Sequence, residues 1–248
     1  MSDSIITVDN VSKSYGGVKA NVNISMTVGR GSITGIIGPN GCGKTTLFNS
    51  IVGYHPIDGG SIQFDDQEIS KLRVGDIARL GMLRTFQQTR IYSKMDCVDN
   101  MQISVSHRQD SKSSIFASRK GEVRDRAEHL LEFVGLYSKR SLISGDLSFG
   151  QQKLLEFAMA LMNEPKVLLL DEPTAGINPT LINGLIDRLR RANEELGITL
   201  CVIEHNMRVI MNLASHIYCL SNGKMLADGK PETLQNDPRV IDAYLGGH

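Results

Sequence analysis

A glycine-rich loop between an apolar run and a helical segment constrains the fold of this chain more than any other feature. Residues 38–46 read GPNGCGKTT and carry the complete GxxxxGKT spacing. The apolar run 32–37 precedes the loop, and a helix is predicted over about 44–52. Strand, glycine loop and helix form the context in which backbone N–H groups surround a phosphate. The sequence therefore predicts a nucleotide site in an α/β fold, and the flanks disfavour a chance glycine-rich loop.

The residue types in this phosphate loop define the expected chemistry. Glycine permits positive φ angles, so the backbone amides can face the phosphates. Lys44 is expected to reach the β and γ phosphates, and Thr45 is expected to supply an oxygen ligand to Mg²⁺. The predicted nucleotide-binding residues of the loop are Gly38, Pro39, Asn40, Gly41, Cys42, Gly43, Lys44, Thr45 and Thr46.

Cys42 lies inside the phosphate loop and has two interpretations. It is either a small residue that the loop tolerates or a thiolate activated by the helix N-terminus and Lys44. The first interpretation is favoured, and thiol alkylation with and without ATP separates the two.

Two adjacent carboxylates follow a second apolar run. Residues 168–173 read LLLDEP, which places Asp171 and Glu172 at the end of a predicted strand. Ligands of open α/β sheets bind at this edge. Asp171 is expected to hold Mg²⁺ through water, and Glu172 to polarise the attacking water. An acidic helix cap is the alternative, and it is weak beside the phosphate loop.

The rest of the pattern predicts an α/β core. The runs 167–170 and 199–203 are typical of parallel strands buried on both faces, and helical periodicity lies between them. That helical face contains Leu181, Leu185, Leu189, Ala192 and Leu196. Residues 5–11 and 22–28 alternate as half-buried strands do. The alternation of strands and helices favours an α/β fold class.

The middle and the end of the chain differ from this core. Residues 94–144 show helical periodicity, including Ala127, Leu130, Leu131 and Val134, and no convincing strand. The tail predicts a hairpin around SNG at 221–223 and two short helices within 231–245. We predict one domain over 1–248, with an α/β core of 1–88 and 150–248 and a helical subdomain of about 89–149.

Composition narrows the class of protein. Lys plus Arg and Asp plus Glu both number 27, so no basic field predicts a nucleic-acid partner. The four cysteines form no CxxC pair, as expected for free thiols in a reducing compartment. The first residues are too polar for a signal peptide, and no apolar run approaches the roughly 20 residues of a spanning helix. We expect a cytoplasmic protein, so a transport role requires a separate membrane subunit.

A third motif, LSFGQQ at 147–152, gives the chain a family resemblance. In this order, the phosphate loop, LSFGQQ and LLLDEP resemble the ATP-binding cassette (ABC) ATPases. The resemblance implies a RecA-like P-loop ATPase core with a parallel sheet, an antiparallel β region and a helical insertion. It also implies that LSFGQQ closes on ATP held by a second cassette, through Ser148, Phe149, Gly150 and Gln151, with the following helix beginning near Gln151.

The same resemblance supplies three further site residues. Tyr15 in SKSYGG matches the residue that stacks on adenine, although an isolated Tyr more often has a packing role. Gln87 in RTFQQ matches the glutamine that touches Mg²⁺ and the attacking water, with Gln88 as its rival. His205 in VIEHNM matches the histidine that contacts the γ-phosphate, although a lone His is usually structural.

Two departures from the common family pattern point to a branch. Phe149 replaces the first glycine of LSGGQ, and Asn178, assigned to the nucleotide site, stands where many relatives have aspartate. With RTFQQTRIY, EHNM and NDPRVIDAYLGG, these resemble the ATPases of branched-chain amino acid importers. Urea and short-amide importers, and the ATPase that extracts lipopolysaccharide, are the alternatives. Residues 89–95 either receive a coupling helix of the membrane subunit or form an ordinary loop.

The resemblance therefore implies an ATPase that couples dimer closure to solute transport. Its expected cofactors are ATP and Mg²⁺, and its expected partners are a second cassette, permease subunits and, indirectly, an external solute-binding protein. It is expected on the inner face of the cell membrane. A soluble ABC ATPase acting on nucleic acid or ribosomes is disfavoured because the chain has no second cassette or basic extension. A module that binds nucleotide without hydrolysis is disfavoured because Lys44, Asp171, Glu172 and His205 are all present.

Overall fold

The computed structural model describes residues 3–85, 91–105 and 116–245. The strands are β1 Ser4–Tyr15, β2 Val18–Gly29, β3 Ile33–Ile37, β4 Gly59–Phe64, β5 Gln67–Glu68, β6 Met82–Arg84, β7 Val167–Asp171, β8 Thr199–Ile203, β9 His216–Ser221 and β10 Lys224–Gly229. The helices are α1 Lys44–Ile51, α2 Val74–Leu80, α3 Cys97–Ile103, α4 Phe116–Phe133, α5 Phe149–Leu161, α6 Pro179–Leu196, α7 Met207–Leu213, α8 Pro231–Gln235 and α9 Pro238–Leu245.

The chain divides into two compact units. The first comprises Met1–Arg84, Lys166–Pro173 and Arg190–His248, and the second comprises Thr85–Pro165 and Thr174–Leu189. The segment 89–149, for which the sequence predicts a helical subdomain, falls within the Thr85–Pro165 part of the second unit. The exact subdomain boundaries stay a prediction.

A six-stranded sheet of the first unit contains the strands that precede the predicted site residues. Its order is β10-β9-β3-β8-β7-β6, with every neighbouring pair parallel except β10 and β9. All residues of β3, β7 and β8 are buried, as expected for parallel strands covered on both faces. Ile203 pairs with both Ile36 and Asp171. The three strands therefore end level, and the segments that follow them share one edge.

A smaller antiparallel sheet of order β2-β1-β4-β5 completes the first unit. The alternation predicted for β1 and β2 buries side chains such as Ile6, Val8 and Ile24. These pack in one core with Phe48 and Ile51 of α1. Burying this apolar face fixes α1, and with it the end of the phosphate loop. The parallel core and the antiparallel region confirm the predicted fold class.

Among the described residues of the second unit there are helices and no strand beyond the single bridge between Asp96 and Ile143. The helical face predicted in the middle of the chain is buried, and the helix α4 carries most of it. None of the helices in the described ranges is long and apolar enough to cross a membrane.

The structure corrects some element boundaries. The helix α5, expected to begin near Gln151, begins at Phe149. In α6 the predicted face is buried at its centre, whereas Leu181 and Leu196 at its ends are exposed. The strands β4, β5 and β6 were not predicted, and the three residues of β6 are too few to show a period.

Candidate functional site

The phosphate loop follows β3 and requires its glycines. Gly38 has φ 144° and Gly43 has φ 105°, values that L side chains rarely adopt. A Cβ at Gly38 would lie 2.2 Å from the Leu220 carbonyl oxygen, and one at Gly43 would lie 2.3 Å from that of Ala20. The loop backbone therefore runs against its neighbours, and α1 begins at Lys44 directly after it.

Lys44 is buried within the phosphate loop. Its Nζ donates hydrogen bonds to the carbonyl oxygens of Gly38, at 2.8 Å, and Pro39, at 2.9 Å. Carbonyl oxygens are neutral acceptors, and phosphate oxygens make stronger, charge-assisted hydrogen bonds with an ammonium. The ammonium is thus positioned where a nucleotide phosphate can replace the carbonyl contacts.

Cys42 is a buried thiol. Burial raises its pKa, although the nearby Lys44, with Nζ 3.8 Å from Sγ, acts in the opposite direction. An activated cysteine requires a lowered pKa and exposure. The environment supports the interpretation of Cys42 as a small residue that the loop tolerates.

Asp171 ends β7 and pairs with Arg84 at the end of β6. Arg84 Nη2 donates to Asp171 Oδ2 at 2.7 Å, and its Nη1 donates to Asn49 Oδ1 on α1. Both members of the ion pair are buried. Burial raises the pKa of the Asp171 carboxyl, and the Arg84 hydrogen bond acts in the opposite direction. Arg84 was not predicted from the sequence.

The donor groups near Asp171 fit a hard cation. Asp171 Oδ1 is buried and accepts no hydrogen bond from the described protein. Asn49, which Arg84 ties to Asp171, lies one helical turn after Thr45, so both occupy one face of α1. This carboxylate oxygen and the threonine hydroxyl on that face of α1 are groups that suit Mg²⁺, which prefers oxygen ligands and retains several waters.

Glu172 and His205 meet at the sheet edge. His205 Nε2 lies 2.6 Å from Glu172 Oε1. Glu172 has φ 50°, and its N–H donates to the Ile203 carbonyl at 2.9 Å. A non-glycine residue in this region costs about 1–3 kcal/mol and is retained where the surroundings impose it. Two residues separated by 33 positions thus form one pair.

Glu204 is a site residue that the sequence analysis missed. It is buried, and its Oε2 accepts hydrogen bonds from the backbone N–H groups of His205, at 3.2 Å, and Asn206, at 3.3 Å. Asn206 in turn caps α7 through its side chain. The carboxylate therefore fixes the backbone that carries the His205 ring. Its sequence signal was an acid directly after an apolar strand, the same signal that identified Asp171 and Glu172.

Tyr15, predicted to stack on adenine, ends β1 and is 48% exposed. His55 contacts it edge-to-face, with the ring centroids 5.5 Å apart. Lys13 Nζ lies 5.5 Å from the Tyr15 centroid. Burial lowers the pKa of His55, whose buried ring nitrogens have no hydrogen-bond partner among the residues that the structure describes. The exposed ring excludes a core-packing role for Tyr15.

The signature segment, residues 147–152, opens α5 in the second unit. Ser148 is the N-cap: its Oγ accepts from Gln151 N, and Gln151 Oε1 accepts from Ser148 N. Phe149 is exposed, and a Cβ at Gly176 would lie 2.8 Å from its ring. The missing side chain at Gly176 therefore accommodates the phenyl group, while Ser148 stays exposed.

The roles of two predicted site residues, Asn178 and Gln87, stay predictions. Asn178 is exposed, and its Oδ1 accepts from the N–H and the hydroxyl of Thr180 at the start of α6. Its nucleotide contact stays a prediction. Gln87 and its rival Gln88 lie outside the described residues.

Family models and relatives agree on what the chain is similar to. The model described as ABC transporter matches residues 22–175, and the one described as branched-chain amino acid ATP-binding cassette transporter matches residues 224–248. The high-affinity branched-chain amino acid transport ATP-binding protein BraF of Pseudomonas aeruginosa is 36% identical over 253 residues, covering 99% of both chains.

Two solved structures share the fold. The ADP conformation of MJ1267, an ATP-binding cassette of an ABC transporter, has a TM-score of 0.87 and 32% identity, covering 99% of this chain and 100% of that one. The dimeric post-hydrolysis state of the cassette MJ0796 bound to ADP and Pi has a TM-score of 0.79 and 25% identity, covering 91% and 98%. The resemblance drawn from the sequence motifs is confirmed.

Proposed function

The chain belongs to the ABC transporter family, and from this premise we propose that it hydrolyses MgATP as one half of a dimer that drives solute import across a membrane. The contact between Glu172 and His205, at the edge that also carries the phosphate loop, is the observation that supports hydrolysis most directly. It brings a carboxylate that can accept a proton next to an imidazole that can contact a phosphate.

Each of the predicted site residues has a separate role in the transfer of the γ-phosphoryl group to water. Lys44 and the loop amides bind the phosphates, and the exposed ring of Tyr15 stacks on the adenine. Thr45, Asp171 and Gln87 would hold Mg²⁺, which would neutralise negative charge on the phosphates. Glu172 orients the attacking water and accepts its proton, while His205 contacts the γ-phosphate. Catalysis of this kind depends on positioning and charge stabilisation rather than covalent chemistry.

The second half of the site comes from a second cassette, either another copy or a close relative. The exposed Ser148 hydroxyl and the N-terminus of α5 are suited to bind an anion. The dimeric structure of the similar cassette MJ0796 supports this arrangement. In our proposal Ser148, Phe149, Gly150, Gln151 and Asn178 of one copy face the ATP held by Lys44 of the other.

Branched-chain amino acids are the proposed cargo class. The 36% identity with BraF and the match of residues 224–248 to the branched-chain amino acid cassette family support this choice over urea, short amides and lipopolysaccharide. The chain then acts at the inner face of the cell membrane, bound to permease subunits that receive solute from an external binding protein. Residues 89–95, of which 91–95 are described, are proposed to contact the permease.

Reconstitution tests this function. The chain and its permease subunits are reconstituted in liposomes with ATP inside and the binding protein outside, and leucine uptake and phosphate release are measured. We expect ATP-dependent leucine uptake that excess isoleucine or valine inhibits and excess urea does not. ATP hydrolysis without leucine transport, combined with urea transport, would contradict the cargo assignment, and absence of hydrolysis would contradict the ATPase assignment.

A further inference from the structure

Within the described ranges, three residues that are remote in sequence from the phosphate loop donate hydrogen bonds to its backbone or accept one from it. Asn21 Nδ2 donates to the Gly43 carbonyl at 3.1 Å, and the Gly223 N–H donates to the Cys42 carbonyl at 3.1 Å. The third contact comes from the C-terminal helix α9, where the Tyr244 hydroxyl accepts the Gly38 N–H at 2.8 Å. It joins residues 206 positions apart and comes from a segment to which the nucleotide motifs assign no role.

Tyr244 contacts the phosphate loop at Gly38, where the loop backbone has little conformational freedom. A Cβ at Gly38 would collide with the Leu220 carbonyl and the Cys42 sulfur, so the backbone at Gly38 is confined by close neighbours. Tyr244 accepts the N–H of this residue, while Lys44 Nζ donates to its carbonyl. One peptide segment therefore links the phenol of α9 to the ammonium that is proposed to bind the phosphates.

The phenol is suited to a fixed structural contact. Burial raises the pKa of Tyr244 to about 12, so the hydroxyl is neutral at physiological pH. The hydroxyl accepts the N–H of the buried Gly38, and a buried N–H without an acceptor is strongly disfavoured. Loss of this hydrogen bond would therefore leave the Gly38 N–H without an acceptor and destabilise the loop.

The helix α9 packs against β10 and α8. At its N-terminus the Asp237 carbonyl accepts from the N–H groups of Val240 and Ile241, and the Asp237 carboxylate accepts from Arg239, which closes the first turn. Val240 is buried. The hydroxyl of Tyr244 is thus presented by a packed helix.

We propose that Tyr244 is a positioning residue of the nucleotide site, and that α9 sets the affinity of the phosphate loop for ATP through its hydrogen bond to Gly38. The inference rests on the proposed binding of ATP by this loop. Tyr244 does not touch the reacting atoms. Its loss therefore weakens nucleotide binding, because the loop must be reordered when phosphates bind, and leaves turnover of the bound nucleotide intact.

Tyr244→Phe removes only the hydroxyl, and Tyr218→Phe is its matched control. Tyr218 is buried in the same unit, and its hydroxyl exchanges hydrogen bonds with the N–H and carbonyl of Thr27, each at 3.1 Å. Both variants lose a phenolic contact, but only Tyr244 contacts the loop. Thermal unfolding of each variant reports its stability separately from its binding.

Calorimetric titration with MgADP and steady-state ATPase kinetics decide the proposal. We expect Tyr244→Phe to raise the Kd and the KM about 3–10-fold, a loss of binding free energy of at most the roughly 1.4 kcal/mol that a tenfold change represents. Its kcat at saturating ATP stays within about twofold, and Tyr218→Phe keeps the wild-type Kd. An unchanged Kd in Tyr244→Phe, or equal weakening in both variants, would overturn the inference. Failure of the wild-type chain to bind nucleotide would instead refute the proposed function.

Discussion

His205 Nε2 lies 2.6 Å from Glu172 Oε1, although the two residues follow different strands of the parallel sheet. The register of β7 and β8, which pairs Asp171 with Ile203, brings them to the same level. Hydrogen bonds then fix the backbone of both residues: the Glu172 N–H donates to the Ile203 carbonyl, and the Glu204 carboxylate accepts from the His205 N–H. The pair is therefore held by the sheet and does not depend on flexible side chains alone.

Glu172→Gln is expected to lower the ATPase rate by about 100-fold or more, the usual scale for loss of a general base. The amide keeps the size of the side chain but cannot accept the proton of the attacking water. ATP binding is retained, so the variant accumulates as an ATP-bound dimer, which gel filtration with MgATP detects. Glu195→Gln, an exposed exchange in α6, is the control and keeps its activity. Near-normal turnover in Glu172→Gln would remove Glu172 from its proposed role.

Glu204→Ala is expected to reduce kcat because the backbone N–H groups of His205 and Asn206 lose their acceptor. A reduction of about 10-fold corresponds to a loss of about 1.4 kcal/mol in transition-state stabilisation. Glu204→Gln retains an acceptor oxygen and should restore most of the rate. Phosphate-release kinetics measure the kcat of both variants. Equal kcat values for Glu204→Ala and Glu204→Gln would show that this carboxylate does not position His205.

Arg84→Ala is expected to lower the free energy of unfolding by about 3–5 kcal/mol, because it leaves the buried Asp171 carboxylate without its partner. Arg30→Ala removes a comparable but more exposed pair with Asp65 and should cost about 1 kcal/mol or less. Urea unfolding compares the two variants. Equal losses would mean that burial does not determine the contribution of the Arg84 pair.

Cys42 is expected to react with iodoacetamide at pH 7.5 more slowly than a free thiol, because burial both raises its pKa and shields its sulfur. Since the thiolate is the reactive form, its reaction accelerates only above the ordinary pKa of a cysteine. Peptide mass spectrometry locates the modified thiol, and Cys42→Ala is the control. Fast labelling of Cys42 that ATP prevents would support the activated thiolate instead.

The sequence predicted those parts of the site that are encoded by short, continuous segments. Lys44, Asp171 and Glu172 each stand in a motif whose strand context is visible in the same few residues. Arg84 was missed because its role is to pair with Asp171. That residue lies 87 positions away in the sequence and becomes a neighbour only through the pairing of β6 and β7. Tyr244 was noted only as part of a family-like ending, because its contact with Gly38 depends on how α9 packs. The start of α5 was misplaced by two residues, although Ser148 and Gln151 form a capping box that local sequence encodes.

The central claim is that each ATP lies between Lys44 of one copy and Ser148 of another, and mixing two inactive variants tests it most directly. Lys44→Ala removes the phosphate contact of one half-site. Ser148→Asp retains a good N-cap for α5 but places a negative charge toward the partner's ATP. A mixed dimer then combines both defects in one site and leaves the other site intact.

Phosphate release is measured for each variant alone and for an equimolar mixture, with dimer formation checked by gel filtration in MgATP. The account predicts that each variant alone is nearly inactive and that the mixture regains ATPase activity. A mixture that forms dimers yet stays as inactive as its parents would contradict the shared site.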